Sequence, residues 1–445
     1  MNETWGVVGG GILGMTLALR LSQAGKSVTL LEASDRLGGL ADAWTIGEVT
    51  WDRHYHVTLL SDLKLRGILA EIGLENDLVW NTTRSEFYDE GRFIPMNGSV
   101  DFLKFPPLGL IDKFRLALTI IWASRIVDGA KLEKIPLEQW LVKISGRKTY
   151  ERIWKPLLRA KLGENHKKAS AAFIWAIVRR LYAARRSGLK TEKFGYVAGG
   201  YARVLKAFEA KLTRAGVTIL KSTPAMRILR DATGLSIATK TGNARFDRIV
   251  VTSSAPIASR LCPDLETDEK TRLDGVLYQG IVCASVVLKR PLNGSYITYI
   301  TDPDVPFTAV IEMSALVDRK EFNGRSVVYL PYYATSDDPA FDETDAVIRE
   351  RFIGKLLQMY PYLEPDDVEG FAVSRVKQVL AVSTLNYSST LPPINTSIAG
   401  LSILNSAHIV NGTLNVNETI GLVDDQLQNV LNAIWPASPA LEKSA

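Results

Sequence analysis

Cysteine and histidine are scarce in this sequence. Only two cysteines, Cys262 and Cys283, and four histidines occur among its 445 residues. Two thiols exclude a disulfide framework and a cysteine-rich zinc site, and no C-x-x-C spacing offers a redox dithiol. The small number of histidines leaves little room for a histidine-built metal site. We therefore predict that the protein holds no metal.

Long hydrophobic runs are also absent. The longest candidate, Leu116 to Ser124, lies between Arg115 and Arg125 and is far shorter than the ~18–20 apolar residues that a membrane span needs. The N-terminal sequence MNETWGVVGGG lacks the basic region and the cleavage site of a secretory signal peptide. We predict a cytoplasmic protein whose contact with a membrane, if any, is made from the cytoplasmic face.

The formal net charge of +5 conceals a strong asymmetry. Residues 104–211 contain 24 lysines and arginines but only 8 acidic residues, whereas the rest of the chain contains 29 basic and 40 acidic residues. A basic middle segment indicates an anionic partner, such as nucleic acid, an anionic membrane surface or a phosphorylated substrate. The alternative is a solvated helical surface without a partner.

The clearest motif is a glycine-rich turn between an apolar strand, predicted at 5–8, and a helix, predicted at 12–24. The turn has the pattern G-x-G-x-x-G, formed by Gly9, Gly11 and Gly14. The next predicted strand, 27–31, ends at Glu32, whose carboxylate can accept hydrogen bonds from ribose hydroxyls. A helix N-terminus favours phosphate. This βαβ unit predicts a binding site for adenosine diphosphate, the alternative being an ordinary βα turn.

An arginine and two glycines follow the unit directly. The sequence EASDRLGG at 32–39 resembles the second fingerprint of the flavoprotein superfamily that includes amine oxidase, protoporphyrinogen oxidase and phytoene desaturase. In that family these residues hold the FAD diphosphate, which implies this role for Arg36, Gly38 and Gly39. The resemblance implies an α/β fold: a Rossmann-like FAD-binding domain of the glutathione-reductase type and a mixed α+β substrate domain. A surface salt bridge and a plain turn are the alternative.

Weaker parts of the resemblance follow in the family's order. VAGGY at 197–201 resembles the family's P-x-GG start of a helix, and STPAMRI at 222–228 resembles its T-P-V-x-x-I hairpin. The second match implies a backbone contact between Ala225 and the adenine region. VVTSSAP at 250–256 resembles the family's VVV-T-x-P-P strand and loop.

The C-terminal part resembles the family with one departure. GLSILNS at 400–406 is similar to the family's GL-x-x-A-G-[DE], which implies that Asn405 and Ser406 bind FAD. Ser406 replaces the acid that usually binds the ribityl chain or phosphate. The last helix, predicted from Thr419, resembles the one whose N-terminus faces the flavin. Asn417 and Thr419 are therefore candidate flavin contacts, with simple helix capping as the alternative.

The segment DRHYH at 52–56 resembles the family's D-x-G-x-H strand, which enters the flavin region. His54 stands where the family pattern has glycine. The resemblance implies that His56 lies over the isoalloxazine or binds substrate, and a histidine near neutrality can shuttle protons. The alternative is a hydrogen-bonded core histidine. Arg53 is a candidate for binding an anion, with a solvated arginine as the alternative.

The chain length indicates two or three domains. We predict a discontinuous FAD-binding domain from 1–75, 195–260 and 395–445. The substrate domain is predicted from 76–194 and 261–394, and the stretch 104–211 is predicted to be helical as well as basic. No second G-x-G-x-x-G is present, although a reductase that binds two dinucleotides normally has one.

The resemblance implies an FAD-dependent oxidoreductase that moves hydride between a large apolar or lipid-linked substrate and flavin N5. The basic segment would then rest on an anionic membrane through its tryptophans, Trp122, Trp140, Trp154 and Trp175. A flavin-dependent isomerase similar to UDP-galactopyranose mutase is the alternative, and its nucleotide sugar would suit the arginines. A flavin-binding scaffold without activity is a third possibility. The expected partner is an apolar or phosphorylated small molecule, and no nucleic acid is expected. Tyr332 and Tyr333 are candidates for lining its cavity, with core packing as the alternative.

Overall fold

The structure is a computed structural model. It describes residues 3–433 apart from 98–100, 102–103, 107, 127, 186–192, 232–233 and 411. Residues 434–445 of the predicted FAD segment 395–445, together with residue 411, and part of the predicted helical stretch 104–211 thus lie outside the described residues.

Five parallel strands form one sheet: β1 (Thr4–Val8), β2 (Ser27–Leu31), β10 (Thr218–Leu220), β14 (Arg248–Val251) and β20 (Leu401–Ile403). Their spatial order is β10–β2–β1–β14–β20. Val7 of β1 pairs with Leu30 on one side and with Val250 on the other. All three side chains are fully buried, as expected of a parallel sheet that is covered on both faces.

Seven strands form a mixed sheet: β7 (Ser85–Asp89), β8 (Arg92–Pro95), β15 (Tyr278–Leu288), β16 (Ile297–Ile300), β17 (Ala309–Glu312), β18 (Ser326–Thr335) and β19 (Val368–Ala381). Their order is β19–β15–β18–β17–β16–β7–β8. Every residue of the long strand β15 is buried. This strand lies between β18 and β19 and pairs with both along most of its length.

Three small sheets connect these parts: β3 (Ala43–Ile46) with β4 (Val49–Asp52); β5 (Thr58–Leu59) and β6 (Leu78–Thr82) with β9 (Lys193–Val197); and β11 (Arg227–Asp231) with β12 (Gly234–Thr239) and β13 (Gly242–Phe246). The β3–β4 hairpin follows the predicted diphosphate-binding segment and ends at Asp52. Strand β4 therefore carries the chain directly into the predicted flavin-facing residues.

The longer helices are Ile12–Gln23, Leu63–Glu71, Leu110–Arg125, Leu137–Ser145, Lys155–Leu162, Ala171–Arg185, Gly200–Arg214, Ala255–Leu261, Thr267–Asp274, Asp345–Met359 and Val416–Leu431. Four of them, from Leu110 to Arg185, build a helical layer with its own apolar core. The first and last helices pack together beside the parallel sheet. In the described part of the chain no helix is both long and apolar enough to cross a membrane.

The predicted α/β fold class, a parallel Rossmann-like sheet with a mixed α+β second part, is confirmed. The parallel sheet takes strands from each of the three segments assigned to FAD binding. The helix at Asp345–Met359 is capped by Thr344, whose hydroxyl accepts from Val347 N. The stretch 104–211 is not wholly helical, because β9 lies within it and pairs with β5 and β6. This pairing joins residues far apart in the chain, so local periodicity does not reveal it.

Candidate functional site

Three glycines shape the turn after β1, as the motif predicts. Gly9 has a φ of +109°, and a Cβ on Gly14 would lie 1.8 Å from the Gly9 carbonyl oxygen. Only glycine therefore allows the helix Ile12–Gln23 to pack this closely against the turn. A Cβ on Gly11 would meet nothing closer than the Cα of Gly39, at 4.0 Å. Open space thus remains at the helix N-terminus, where the exposed amides favour a diphosphate.

Glu32 lies at the end of β2, beside this turn. Its Oε2 accepts from Gly10 N at 2.6 Å, and its Oε1 accepts from Ser34 N at 2.8 Å. A carboxylate offers about four acceptor positions, so each oxygen retains capacity for a ribose hydroxyl. The backbone amides hold the carboxylate in place before any ligand binds.

The R-x-G-G segment is joined to the glycine-rich turn through its backbone. Gly38 N donates to Gly10 O at 2.9 Å. Gly38 and Gly39 have φ values of +123° and +59°, which disfavour other residues. A Cβ on Gly39 would also lie 3.2 Å from the Cα of Gly11. We call Gly9, Gly11, Gly14, Gly38 and Gly39 the phosphate cradle.

Arg36 and Arg53, predicted to bind anions, converge on Asp42 at the edge of the cradle. Arg53 Nη2 lies 2.6 Å and Arg36 Nη2 lies 3.2 Å from Asp42 Oδ2. The Arg36 side chain remains 53% exposed. Asp35 Oδ1 also lies 3.7 Å from Arg36 Nε, so two guanidinium groups face two carboxylates. The exposed Arg36 guanidinium still offers N–H donors that suit a diphosphate.

Ala225 lies in the loop before β11, next to the Glu32 end of β2. In this loop Thr223 N donates to Glu32 O, and Ser222 N donates to Ser34 O, each at 2.8 Å. The loop therefore runs along the side of the cradle where the ribose-binding carboxylate lies. This position is compatible with the predicted backbone contact of Ala225 with adenine.

Two buried polar atoms lie at the carboxyl ends of neighbouring parallel strands. Asn405 follows β20, and its Oδ1 accepts from Ala407 N at 3.0 Å. Its Nδ2 and the Ser253 hydroxyl, which follows β14, have no hydrogen-bond partner among the described residues. Ligands of open α/β sheets bind outside these strand ends. Ser253, absent from the sequence-based site, is thus a candidate. Ser406 is hydrogen-bonded to the Tyr278 hydroxyl.

The last helix begins at Val416, three residues earlier than predicted. Its N-cap is Asn415, whose Oδ1 accepts from Glu418 N at 3.0 Å. The Thr419 hydroxyl instead donates to Asn415 O at 2.8 Å. Asn417 Oδ1 accepts from the backbone amides of Lys64 and Leu65 at 3.0 and 3.2 Å. Neither Asn417 nor Thr419 caps its own helix, and Asn417 caps a neighbouring one.

His54 and His56 point to different surroundings. His54 Nδ1 lies 3.2 Å from Leu40 O, next to the cradle, and burial lowers the pKa of His54 to about 4. Its buried Nε2 lacks a hydrogen-bond partner in the described structure. His56 Nδ1 lies 3.6 Å from Asp52 Oδ2, and its ring centre lies 4.7 Å from that of Tyr201. Asp52 in turn accepts from Tyr201 N at 2.7 Å.

Between the two histidines, Tyr55 reaches the seven-stranded sheet. Its hydroxyl lies 2.8 Å from that of Tyr333 on β18. Lys161 Nζ donates to the Tyr333 hydroxyl and also lies 4.0 Å from the centre of that ring. Burial raises the pKa of Tyr333 to about 12 and that of Tyr55 well above its usual value. We call these three residues the tyrosine–lysine cluster. The sequence predicts Tyr333 as a candidate for lining a substrate cavity, but it does not place Tyr55 and Lys161 beside it, since the three residues come from distant parts of the chain.

These residues fit FAD. The open space over Gly11, the guanidinium donors of Arg36 and Arg53, and the unpartnered atoms of Ser253 and Asn405 together offer what a dinucleotide diphosphate requires. The described residues contain no group of three or more histidine, cysteine or acidic side chains arranged to hold a metal ion.

Comparisons with known proteins agree with this geometry. Over 94 residues the chain is 37% identical to coproporphyrinogen III oxidase from Mycobacterium tuberculosis, which covers 20% of this chain and 21% of that protein. Over 203 residues it is 26% identical to zeta-carotene desaturase from Synechocystis, covering 40% of this chain and 41% of that one. The matched stretches therefore span less than half the length of either relative.

A solved structure from Exiguobacterium, described as a candidate protoporphyrinogen oxidase, has the same fold. Its TM-score is 0.75 at 19% identity, and the match covers 97% of this chain and 99% of that one. The family model for flavin-containing amine oxidoreductases matches residues 14–395. This match agrees with the geometry of the phosphate cradle. The chain belongs to the flavin-containing amine oxidoreductase family, and its cofactor is FAD.

Proposed function

We propose that the protein is an oxidoreductase that acts on a large apolar or lipid-linked substrate. Bound FAD supplies the redox chemistry, by exchange of hydride between a substrate carbon and flavin N5. The cradle and Glu32 would hold its adenosine diphosphate part, while Asn405 and Ser253 would donate hydrogen bonds near the strand ends. Gly38 and Gly39 would let the backbone pass close to the cofactor.

The observation that carries the substrate class is the environment of the tyrosine–lysine cluster. Tyr55 and Tyr333 are surrounded by a large apolar cluster that includes Tyr296, Tyr329 and Ile281. Such a setting suits a substrate that is mostly hydrocarbon and carries few polar groups. The name of one relative, zeta-carotene desaturase, includes a hydrocarbon, which supports this class.

The cluster also offers a means of orienting a substrate or moving a proton. A tyrosine hydroxyl is protonated at neutral pH, and the raised pKa of Tyr333 makes its ionisation still less favourable. The Lys161 ammonium donates to the Tyr333 hydroxyl oxygen, and this hydroxyl also shares a hydrogen bond with the Tyr55 hydroxyl. We propose that Tyr55 and Tyr333 orient the substrate and that Lys161 holds them in position.

A turnover assay with matched variants tests this proposal. The holoenzyme should oxidise or reduce an isoprenoid or a porphyrinogen, and Tyr333→Phe and Lys161→Met should each slow single-turnover flavin conversion ~10²-fold or more while flavin content stays full. Tyr332→Phe is the matched control, because Tyr332 lies next to Tyr333 and bonds to Asp338 instead.

The same preparation distinguishes the proposed oxidoreductase from the isomerase alternative. After chemical reduction of the flavin, the enzyme is offered UDP-galactopyranose, and we expect no ring isomerisation. Turnover of this nucleotide sugar without net redox change, together with inactivity toward isoprenoids and porphyrinogens, would replace the oxidoreductase proposal by a mutase-like one.

A further inference from the structure

The helix Leu110–Arg125 presents an apolar face to solvent. Among the described residues, large hydrophobic side chains are exposed at fourteen positions, and six of them lie on this one helix. Leu110, Ile111 and Phe114 are 75%, 77% and 66% exposed, whereas most other residues of their kind are buried. We call these six residues the apolar stripe: Leu110, Ile111, Phe114, Leu118, Ile121 and Trp122. A patch of this density on one helix indicates an interaction surface.

The geometry of the helix makes the stripe continuous. At about 100° per residue, the six side chains fall within an arc of ~120°. The buried residues of the helix, which include Leu116, Thr119 and Ala123, lie on the opposite side. The helix is therefore held in the fold by one face and offers the other outward.

Most of the tryptophans predicted to rest on a membrane are not available for it. Trp140, Trp154 and Trp175 are 4%, 8% and 0% exposed and belong to the core of the helical layer. Only Trp122 of the predicted set is exposed, at 49%, and it stacks on Trp140. The burial of these three tryptophans leaves the apolar stripe, and not the whole basic segment, as the surface that could enter a membrane.

Basic side chains border the stripe. At the same angle per residue, Arg115 lies ~20° beyond one edge of the arc, and Arg125 lies at the C-terminal end of the stripe. Lys143 lies on the neighbouring helix Leu137–Ser145, and all three side chains are exposed. The surrounding segment 104–211 carries 24 basic and 8 acidic residues. An apolar face with a basic border is the arrangement by which helices lie in the surface of an anionic bilayer.

We propose that the apolar stripe docks the protein on an anionic lipid membrane, with the helix parallel to the surface. The apolar side chains would enter the boundary between headgroups and acyl chains, and the arginines would contact lipid phosphates. A second copy of the chain is a poorer occupant, because face-to-face packing of two such helices would bring two basic borders together. This inference does not depend on the proposed reaction.

Vesicle binding of the full-length holoenzyme tests the inference. The triple variant Ile111→Ser, Phe114→Ser, Leu118→Ser replaces exposed residues and should leave melting temperature and flavin content unchanged. Wild type should bind phosphatidylglycerol-containing vesicles, and the triple variant should bind at least tenfold more weakly. Replacing Arg115 and Arg125 with Gln should weaken binding mainly at low salt, where charges are least screened.

The matched control places the same number of serines on exposed apolar residues elsewhere, at Leu63, Met226 and Val347; it should bind as wild type does. Equal vesicle binding by wild type and the stripe variant, or no binding by either, overturns the inference. A wild-type dimer that ignores vesicles and dissociates in the stripe variant, seen by light scattering, also overturns it and assigns the stripe to a second copy.

Discussion

Charged and amide side chains near the cradle already have partners within the chain. Arg36 and Arg53 share Asp42, Glu32 holds two backbone amides, and Asn417 caps a neighbouring helix. Such contacts orient a side chain and limit its loss of conformational freedom when a ligand binds. A residue that resembles a ligand contact can therefore serve the fold, the site or both, and only its contacts tell these roles apart.

His56 illustrates this ambiguity and can be tested. Because its ring packs on Tyr201 and faces Asp52, we expect His56→Ala to lower the free energy of unfolding by ~1–3 kcal/mol and to reduce flavin content. Single-turnover flavin conversion, measured per bound flavin, should change little. His56→Phe should restore much of the stability because it keeps an aromatic ring.

A different result would assign His56 to the chemistry. If His56→Phe retains full flavin and normal stability but reacts ~10²–10⁴-fold more slowly, the imidazole transfers a proton or binds substrate. Flavin absorbance, urea denaturation and stopped-flow kinetics on one preparation distinguish the two results.

Among the elements, the last helix and the helix Leu63–Glu71 depend on each other. Asn417 of the last helix accepts from the amides of Lys64 and Leu65, which lie in the first turn of the other helix. Asn417→Ala should remove this cap and lower the free energy of unfolding of the apoprotein by about 1 kcal/mol. Urea denaturation measures the change.

Asn417→Asp is the matched control for this prediction, because a carboxylate keeps the acceptor and should retain most of the stability. The flavin spectrum and reduction potential should be the same in both variants. An altered potential in Asn417→Ala, with unfolding unchanged, would instead show that the amide acts on the flavin.

At the scale of the whole molecule, the FAD site joins segments that are distant in sequence. The parallel sheet draws strands from 4–31, 218–251 and 401–403, and the candidate contacts lie at their ends. FAD binds the folded state only, so at 100 times its dissociation constant it should stabilise the protein by ~2.7 kcal/mol. FMN, which lacks the adenosine part, should stabilise it much less.

Calorimetry of the apoprotein with and without each flavin checks this prediction. Glu32→Ala should reduce the effect of FAD toward that of FMN, because it removes the carboxylate at the ribose end. Equal stabilisation by FAD and FMN in wild type would argue against recognition of the adenosine diphosphate by the cradle.

The sequence by itself determined the βαβ unit, the phosphate cradle, the family and the cofactor. Gly9, Gly14, Gly38 and Gly39 are recognisable because their constraints are local: a positive φ or a close backbone contact admits few other residues. Strand β9 and the capping role of Asn417 required the tertiary structure, since both arise from contacts with remote segments. The tyrosine–lysine cluster and the apolar stripe were also visible only in the tertiary structure. Burial and exposure depend on how helices and sheets pack, and not on the periodicity of any single segment.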